Sequence, residues 1–529
     1  MSVKKITLIC PHDTSLPLQV TSYRAFMPRY GLLAVSTALA NAGYDVRTYC
    51  EFSGSKVDWK RVGESDAVCF SLMSFSSLKG YAYAAKARRE NPRAAIIFGG
   101  SHPSSLPEDC LEHCDYAVRN EGEATILELM KKLSHGLGAE GVDGVSFKNE
   151  NGVPVHNKSR AFIEKIDLVA DPGLVEGYTA RSLPFYFFDT LRNGVPRFNM
   201  AVVQSSRGCP FGCSFCFVKH ELGQKHRKKD PALVMKEIEL SFDRLQTRYV
   251  FFADNDLTLD RDHALELFRL MEKRFGGNVD MFFFSRIFIA EDNELMEAIE
   301  RAGRACIGVG VESIDPRALD FFDKRQSVID IENSLSLFSK HDVKLQLLFI
   351  FGSDNDTPET VERSLELVLR NRAYNWGFCS MYDFPTRGSS LGIPQLIPDN
   401  RFIHRDWRFY SGNFVVHYPA KMPPSALLRA MSSAYRRFYK ESKRSFYQYH
   451  PIQATYGNYA KFLEQAEKGL YDSDGSLIEE ALPGPFASAR RLDVKIDRAA
   501  LAGEIARFYL HNMTRLQSWN YLLSIGKKP

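Results

Sequence analysis

The chain has 529 residues, 44% hydrophobic, 25% charged and 12% aromatic, which excludes disorder, collagen-like repeats and coiled coil. At roughly 100–200 residues per domain it should form two to four domains, each able to bury a core. The net charge of +4 is too small over this length to imply a nucleic-acid surface, and no apolar run approaches the roughly 18–20 residues of a membrane span.

Taken in chain order, residues 1–150 alternate short β-rich runs with helical patterns. KKITLIC reads as a strand, YGLLAVSTALANAG as a helix with a glycine stop, and YDVRTYC and DAVCFSLMS as further strands. A helix over SLKGYAYAAKARREN, the strands AAIIFGG and DYAVRN, and a helix from near Glu123 complete the series. Interleaved strands and helices predict βαβ units, a doubly wound (Rossmann-like) α/β domain and ligands at the carboxyl ends of the strands. The opening MSVKKITLIC runs straight into its strand without a small-residue cleavage site, so a cytoplasmic protein without a signal peptide is expected. Residues 151–197 read as a connector with hairpin character. From 198 to 390 a second βα series of six repeats follows, short of the eight of a full barrel, and predicts a partial (βα)6 barrel. Residues 391–529 shift to aromatic-rich helical stretches and predict a helical C-terminal domain. Residues 401–529 hold 20 Lys+Arg against 11 Asp+Glu.

Ten cysteines are too few for a disulfide scaffold, and a reducing compartment is expected. The strongest chemical signal is SSRGCPFGCSFCF, in which Cys209, Cys213 and Cys216 are spaced CxxxCxxC on a loop after a predicted strand. Three thiolates this close can converge on one soft metal centre. Iron–sulfur cubanes normally take four cysteines, so three would leave one iron open to an exogenous ligand. A structural zinc site with His220 as fourth ligand, or a chance core cluster, are the competing readings. Cys110 and Cys114, four apart on a short amphipathic segment, read as a buried core pair.

With the aromatic Phe215 before its last cysteine, at the mouth of a partial barrel, this motif resembles the radical S-adenosylmethionine (SAM) superfamily. The resemblance implies that Cys209, Cys213 and Cys216 hold a 4Fe-4S cluster whose open iron chelates SAM, with Phe215 beside it. It also implies that SAM is cleaved to methionine and a 5′-deoxyadenosyl radical. Later strand ends agree with the family. Asp254 and Asn255 resemble the turn that receives the SAM amino group, and Arg286 with Ser285 could pair with its carboxylate. Glu312 and Ser313, at the tip of a glycine-rich strand, would lie near the ribose and methionine. No catalytic residue is assigned.

The first domain resembles the cobalamin-binding domain that precedes the barrel in one large radical SAM subgroup, on RYGLLAVSTALANAGYDV, FGGSHPSSLPE and RNEGE. Ser71, Leu72, Gly99, Gly100, Glu121 and Gly122 are the expected cobalamin-binding positions, the glycines permitting close backbone approach to a flat ligand. The DxHxxG signature is missing, and His12 and His102 are the nearby histidines; retention of the fold without the cofactor is the alternative. The tail WRFYSGNFVVHYPAKMPPSALLRAMSSAYRRFYK is similar to cobalamin-type members, including a group acting on hopanoid lipids. The expectation is a cobalamin-dependent enzyme that methylates an unactivated carbon through the radical and methylcobalamin. Its substrate would be a small molecule or lipid-like, and its electron donor a protein such as flavodoxin or ferredoxin. A radical SAM cyclase or C–C bond-forming enzyme of the same architecture is the first alternative, and a non-enzymatic cobalamin-binding protein with structural zinc the second.

Overall fold

The structure, a computed structural model, describes residues 3–13, 25–181, 198–383, 395–441, 452–483 and 492. Part of the expected connector (182–197) and the helical reading beyond 492 lie outside the described residues.

The first sheet is built from β1 (Lys5–Cys10), β2 (Asp45–Cys50), β3 (Ala67–Ser71), β4 (Ala95–Gly99) and β5 (Tyr116–Val118). These run parallel in the order β2-β1-β3-β4-β5. An antiparallel hairpin of β6 (Val145–Lys148) and β7 (Pro154–His156) extends the sheet beyond β5, so the hairpin character expected of the connector belongs partly to the first sheet. Alternate side chains of β1 enter two separate cores. Ile6 and Leu8 join Leu33 of helix α1 (Tyr30–Asn41) and Leu129 of α3 (Gly122–Ser134). Ile9 joins Tyr81 and Ala84 of α2 (Ser74–Glu90). Burial on both faces explains why this strand reads as a continuous apolar run. The chain leaves β1 toward β2 on one side and continues from β3 on the other, which opens a crevice at the carboxyl ends.

The second sheet is all parallel and strictly sequential: β8 (Ala201–Val203), β9 (Tyr249–Phe252), β10 (Asp280–Ser285), β11 (Arg304–Glu312), β12 (Lys344–Phe351) and β13 (Asn375–Ser380). Its helices α4 (Pro231–Leu245), α5 (Arg261–Phe275), α6 (Asn293–Ala302), α7 (Val328–Phe338) and α8 (Pro358–Arg370) lie between successive strands. Asp230, Asp260 and Asp292 start three of these helices by accepting from the backbone N–H groups of Ala232, His263 and Leu295. In β10, Met281 and Phe283 are buried in the core while Phe282 and Phe284 are half-buried, the alternation of a curved sheet. The fold is therefore α/β, a doubly wound domain followed by a partial (βα)6 barrel.

Two further contacts join the parts. At the domain interface, Lys229 Nζ donates to Glu237 Oε2 at 2.5 Å and to the Tyr30 hydroxyl at 2.9 Å. Helix α9 (Pro424–Glu441) packs on α8 and α10 (Ile452–Ala466) packs on α9, and the turn Trp407–Phe409 lies against α2. Among the described residues no helix is long and apolar enough to cross a membrane.

Candidate active site

The cysteine loop is gripped at its base. Ser206–Arg207 and Arg227–Lys228 form a two-stranded antiparallel ribbon that brackets residues 208–226. Just above it Gly208 has φ +84°, and a β-carbon there would fall on the Lys225 carbonyl oxygen, so only glycine passes this neck. The Cys209 N–H donates to the Gly223 carbonyl at 3.1 Å. The far side of the loop is tied to the turn after β11: the Ser214 N–H donates to Phe322 O at 3.0 Å and its hydroxyl to Phe321 O at 2.7 Å.

Cys209, Cys213 and Cys216 are free thiols, Cys213 buried and the other two half-buried. Burial pushes the Cys209 and Cys216 thiols up, Cys216 to about 11, against the pull of the Phe211 and Val218 N–H groups; each also feels the charge of the neighbouring cysteines. Among the described residues, no three His, Cys, Asp or Glu side chains converge tightly enough to grip a single ion. The His220 ring lies tilted against Phe217, with centroids 5.6 Å apart. Phe215 meets Phe322 edge-on at 5.3 Å.

At the strand ends around this loop the structure gives each predicted residue a definite place. Asp254 is buried, and both its oxygens are engaged by the cysteine-loop approach. It accepts from the Ser205 N–H (3.0 Å), the Ser205 hydroxyl (2.7 Å) and the Ser206 hydroxyl (2.6 Å). Burial raises the Asp254 carboxyl above its ordinary range, opposed by these donors. Asn255 keeps a buried Nδ2 with no protein partner. The Ser285 hydroxyl pairs with Thr258 at 2.6 Å. The Arg286 guanidinium lies 3.9 Å over the ring of Phe211, inside the cysteine loop, and donates to Lys324 O at 3.0 Å. Glu312 sits at φ +64°, a left-handed conformation that is strained for a side-chain-bearing residue. A register shift between β11 and β12 falls at Gly310/Glu312. Ser313 is buried, its hydroxyl accepting from the Asp315 N–H at 3.1 Å.

Two residues beyond the sequence reading enter here. Lys324 is buried and donates to Glu312 Oε1 at 2.7 Å, with its ammonium 5.8 Å over the Phe215 ring. Its charge reaches the Cys216 thiol and the Asp256 carboxyl. The sequence signal was slight, a DKRQ turn one short helix past Glu312-Ser313. Arg207, directly before Gly208-Cys209, is the second.

At the carboxyl edge of the first sheet, Leu72 is fully buried behind Ser71, and Gly100, at φ +102°, brings its α-carbon against the Leu72 carbonyl. A β-carbon on Gly99 would meet the Val118 carbonyl oxygen at 3.9 Å, an ordinary contact. Gly122 lets α3 approach Val35 of α1. Glu121 faces the barrel: Oε1 and Oε2 accept from Arg227 Nη1 at 2.8 and 2.9 Å, and Oε2 from the Ile163 N–H at 2.7 Å.

His102 is fully buried and engaged through both ring nitrogens, Nε2 with the Tyr81 hydroxyl at 2.7 Å and Nδ1 with Ser74 at 3.0 Å. Asp109 completes this cluster, accepting from Tyr81 at 2.7 Å and from Trp407 Nε1 at 3.0 Å. Burial alone would raise the Asp109 carboxyl; the His102 ring at 3.7 Å with Tyr81 and Trp407 outweighs it and holds it at about 2. A carboxyl depressed in the folded state stabilises the protein above its ordinary value. That contribution, about 2 kcal/mol, is lost as pH falls from about 4 to about 2. Asp109→Asn should remove this part of the acid dependence, read as a flatter urea midpoint between pH 5 and 2.5. His12 stacks on Phe52 at 4.2 Å. Cys110 and Cys114 are core residues, their thiols pushed up by burial.

The donor set fits the groups that the sequence resemblance implies. Three unpaired thiols, two loop N–H groups and a nearby ammonium suit an anionic iron–sulfur unit. The unpartnered Asn255 amide offers a donor to a polar ligand at the strand ends. Gly99 puts no side chain at this edge, which suits a flat ligand, and both ring nitrogens of His102 are already engaged by Tyr81 and Ser74.

Comparison with known proteins agrees on both parts. Residues 18–130 match the B12 binding domain model and residues 203–368 the radical SAM superfamily model. An uncharacterized methyltransferase of Pyrococcus horikoshii is 26% identical over 459 residues, 84% of this chain and 94% of the relative. The anaerobic magnesium-protoporphyrin IX monomethyl ester cyclase of Rubrivivax gelatinosus is 25% identical over 69% of this chain and 63% of its own. The radical SAM methyltransferase TsrM from Kitasatospora setae, solved with cobalamin and a [4Fe-4S] cluster bound, superposes with a TM-score of 0.57. That superposition is at 19% identity and covers 72% of this chain and 73% of the other. A cysteine loop at the mouth of a partial barrel, behind a sheet of flavodoxin-like strand order, is thus matched by a model for each part: the chain carries a radical SAM domain over residues 203–368 and a B12-binding domain ahead of it over residues 18–130.

Proposed function

We propose that this chain is a cobalamin-dependent radical SAM methyltransferase acting on an unactivated carbon of a largely apolar small molecule. The observation that carries the reading is the seat of the cysteine loop, whose basal ribbon is bound to Glu121 at the carboxyl edge of the B12-type sheet. When bound, the 4Fe-4S cluster, SAM and cobalamin supply radical generation and a transferable methyl group.

The chain supplies position and shelter. Asp254 holds the two serines ahead of the loop, and Arg286 stacks on Phe211 within it. The residues proposed to hold the cluster are Cys209, Cys213 and Cys216. Those proposed around SAM are Phe215, Asp254, Asn255, Ser285, Arg286, Glu312 and Ser313, joined by Lys324. Gly308 and Gly310 leave the floor of the barrel without side chains; a β-carbon on Gly308 would meet Phe284 at 2.6 Å. Phe251, Phe282 and Phe284 form a half-buried aromatic wall, with ring centroids 5.1–6.1 Å apart, that suits an apolar, lipid-like substrate and limits water. Half-buried Cys209 and Cys216 leave the loop within reach of an external one-electron donor of the flavodoxin or ferredoxin kind. Ten unpaired cysteines suit a cytoplasmic setting.

Anaerobic reconstitution with iron, sulfide and hydroxocobalamin, followed by SAM labelled in its methyl group, tests the reading. Label passed to the corrinoid, with S-adenosylhomocysteine formed, supports methyl transfer. Abundant 5′-deoxyadenosine with an unlabelled corrinoid would favour ring formation, the second reading, which the cyclase relative supports. Failure to hold iron overturns both.

A further inference from the structure

Both arms of the cysteine-loop ribbon end on the first domain. Arg207, on the strand entering the loop, donates to Glu121 Oε1 at 3.2 Å and to Glu123 Oε1 at 2.6 Å. Arg227, on the strand leaving it, donates to both oxygens of the same Glu121 and to Ile163 O at 2.6 Å. The side chains of Glu121, Arg207 and Arg227 are 4%, 8% and 2% exposed, so these pairs are desolvated and their geometry is fixed. Arg207 is further aimed by Gln204, whose Oε1 accepts from Nε at 2.6 Å.

The contact continues inward to the ligand edge of the first sheet. Asn120, next to Glu121, is held at φ +62° while its N–H donates to the Ser104 hydroxyl at 2.8 Å. The Ser104 hydroxyl in turn donates to the Gly100 carbonyl at 2.8 Å. An unbroken run of bonds therefore joins Gly100, at the open edge, through Ser104, Asn120 and Glu121 to Arg207 and Arg227 at the neck of the cysteine loop.

We propose that Glu121, with Arg207 and Arg227, couples the two cofactor seats, so that filling one orders the other. The proposal rests on the assignment of those seats under the function proposed above. Its physical basis is shared ordering. A ligand at the edge after β4 fixes the Gly100–Asn120 turn and with it the carboxylate that sets the loop neck; a cluster in the loop fixes the same carboxylate from the other side. The second ligand then meets a surface already ordered, and the effect is reciprocal. Glu121 is a positioning residue in this scheme and touches neither cofactor.

The test measures hydroxocobalamin affinity of the full chain under anaerobic conditions by equilibrium dialysis, with and without a reconstituted cluster. The wild-type protein should bind at least about fivefold more tightly when cluster-loaded. In Glu121→Gln the ratio should fall to near one while the affinity of the cluster-free protein stays within about twofold of wild type; a merely structural role would weaken both together. Arg207→Lys, which keeps the charge without the fork, should retain part of the ratio. Glu123→Gln, at the outer end of the network, is the milder variant should Glu121→Gln not fold, and should lower the ratio by about half. A wild-type ratio of one, or a ratio unchanged in folded Glu121→Gln or Glu123→Gln, overturns the coupling alone. No hydroxocobalamin binding in any form overturns the cobalamin assignment and the coupling with it.

Discussion

Cys213→Ala is expected to yield a folded protein that retains no iron–sulfur absorbance after anaerobic reconstitution and forms no 5′-deoxyadenosine above background. Cys213 is the buried member of the three, a backbone hydrogen bond from the Cys216 N–H to Cys213 O closes the turn between them, and no fourth cysteine stands in the loop to replace it. The alanine removes one buried sulfur, a change of about 1 kcal/mol that a chain of this size tolerates. Cys110→Ala is the control, because Cys110 is equally buried but lies in the core of the first domain. Iron and acid-labile sulfide should be lost in the first variant and unchanged in the second. Full iron content in Cys213→Ala would remove the basis of the active-site assignment.

Lys229→Met should be the most damaging single change to stability, at about 3–5 kcal/mol. Lys229 and Glu237 are each 1% exposed, and the pair closes the interface between the first domain and the barrel together with Tyr30. Burial already raises the Glu237 carboxyl against the pull of Lys229; without the ammonium it is left as an uncompensated buried charge or takes up a proton. The double variant Lys229→Met, Glu237→Leu replaces the pair by apolar volume and should recover most of the loss. Urea unfolding midpoints distinguish the cases: a double variant as unstable as the single would show that the ion pair does more than neutralise itself.

What the sequence made legible was local. The alternation of strand and helix and the spacing of Cys209, Cys213 and Cys216 are both contained within short windows. The partners of single acidic residues at strand ends were not. Asp254, read at a strand end, accepts from Ser205 and Ser206, about fifty positions earlier, and no short window shows those partners. Glu121 likewise has partners, Arg207 and Arg227, that lie 86 and 106 positions away. A carboxylate at a strand end looks the same in sequence whether it awaits a ligand or is already held by a distant guanidinium. Lys324 went unread for the same reason, since its partner Glu312, in a left-handed turn, stands twelve positions earlier.

The edges of the first sheet show how far the two halves depend on each other. The hairpin β6–β7 caps one margin, while the other, β2, carries a bridge from Thr48 to Val175 of the chain leading toward the barrel, where the Glu176 N–H also donates to Thr48 O at 2.8 Å. Cutting the chain near residue 150 would strip that cover and bare a parallel margin ready to recruit a strand from a second molecule. The corrinoid module is therefore no cassette to be lifted out and grafted elsewhere: its own linker finishes it, and a fragment meant to bind the vitamin alone has to run through Tyr178.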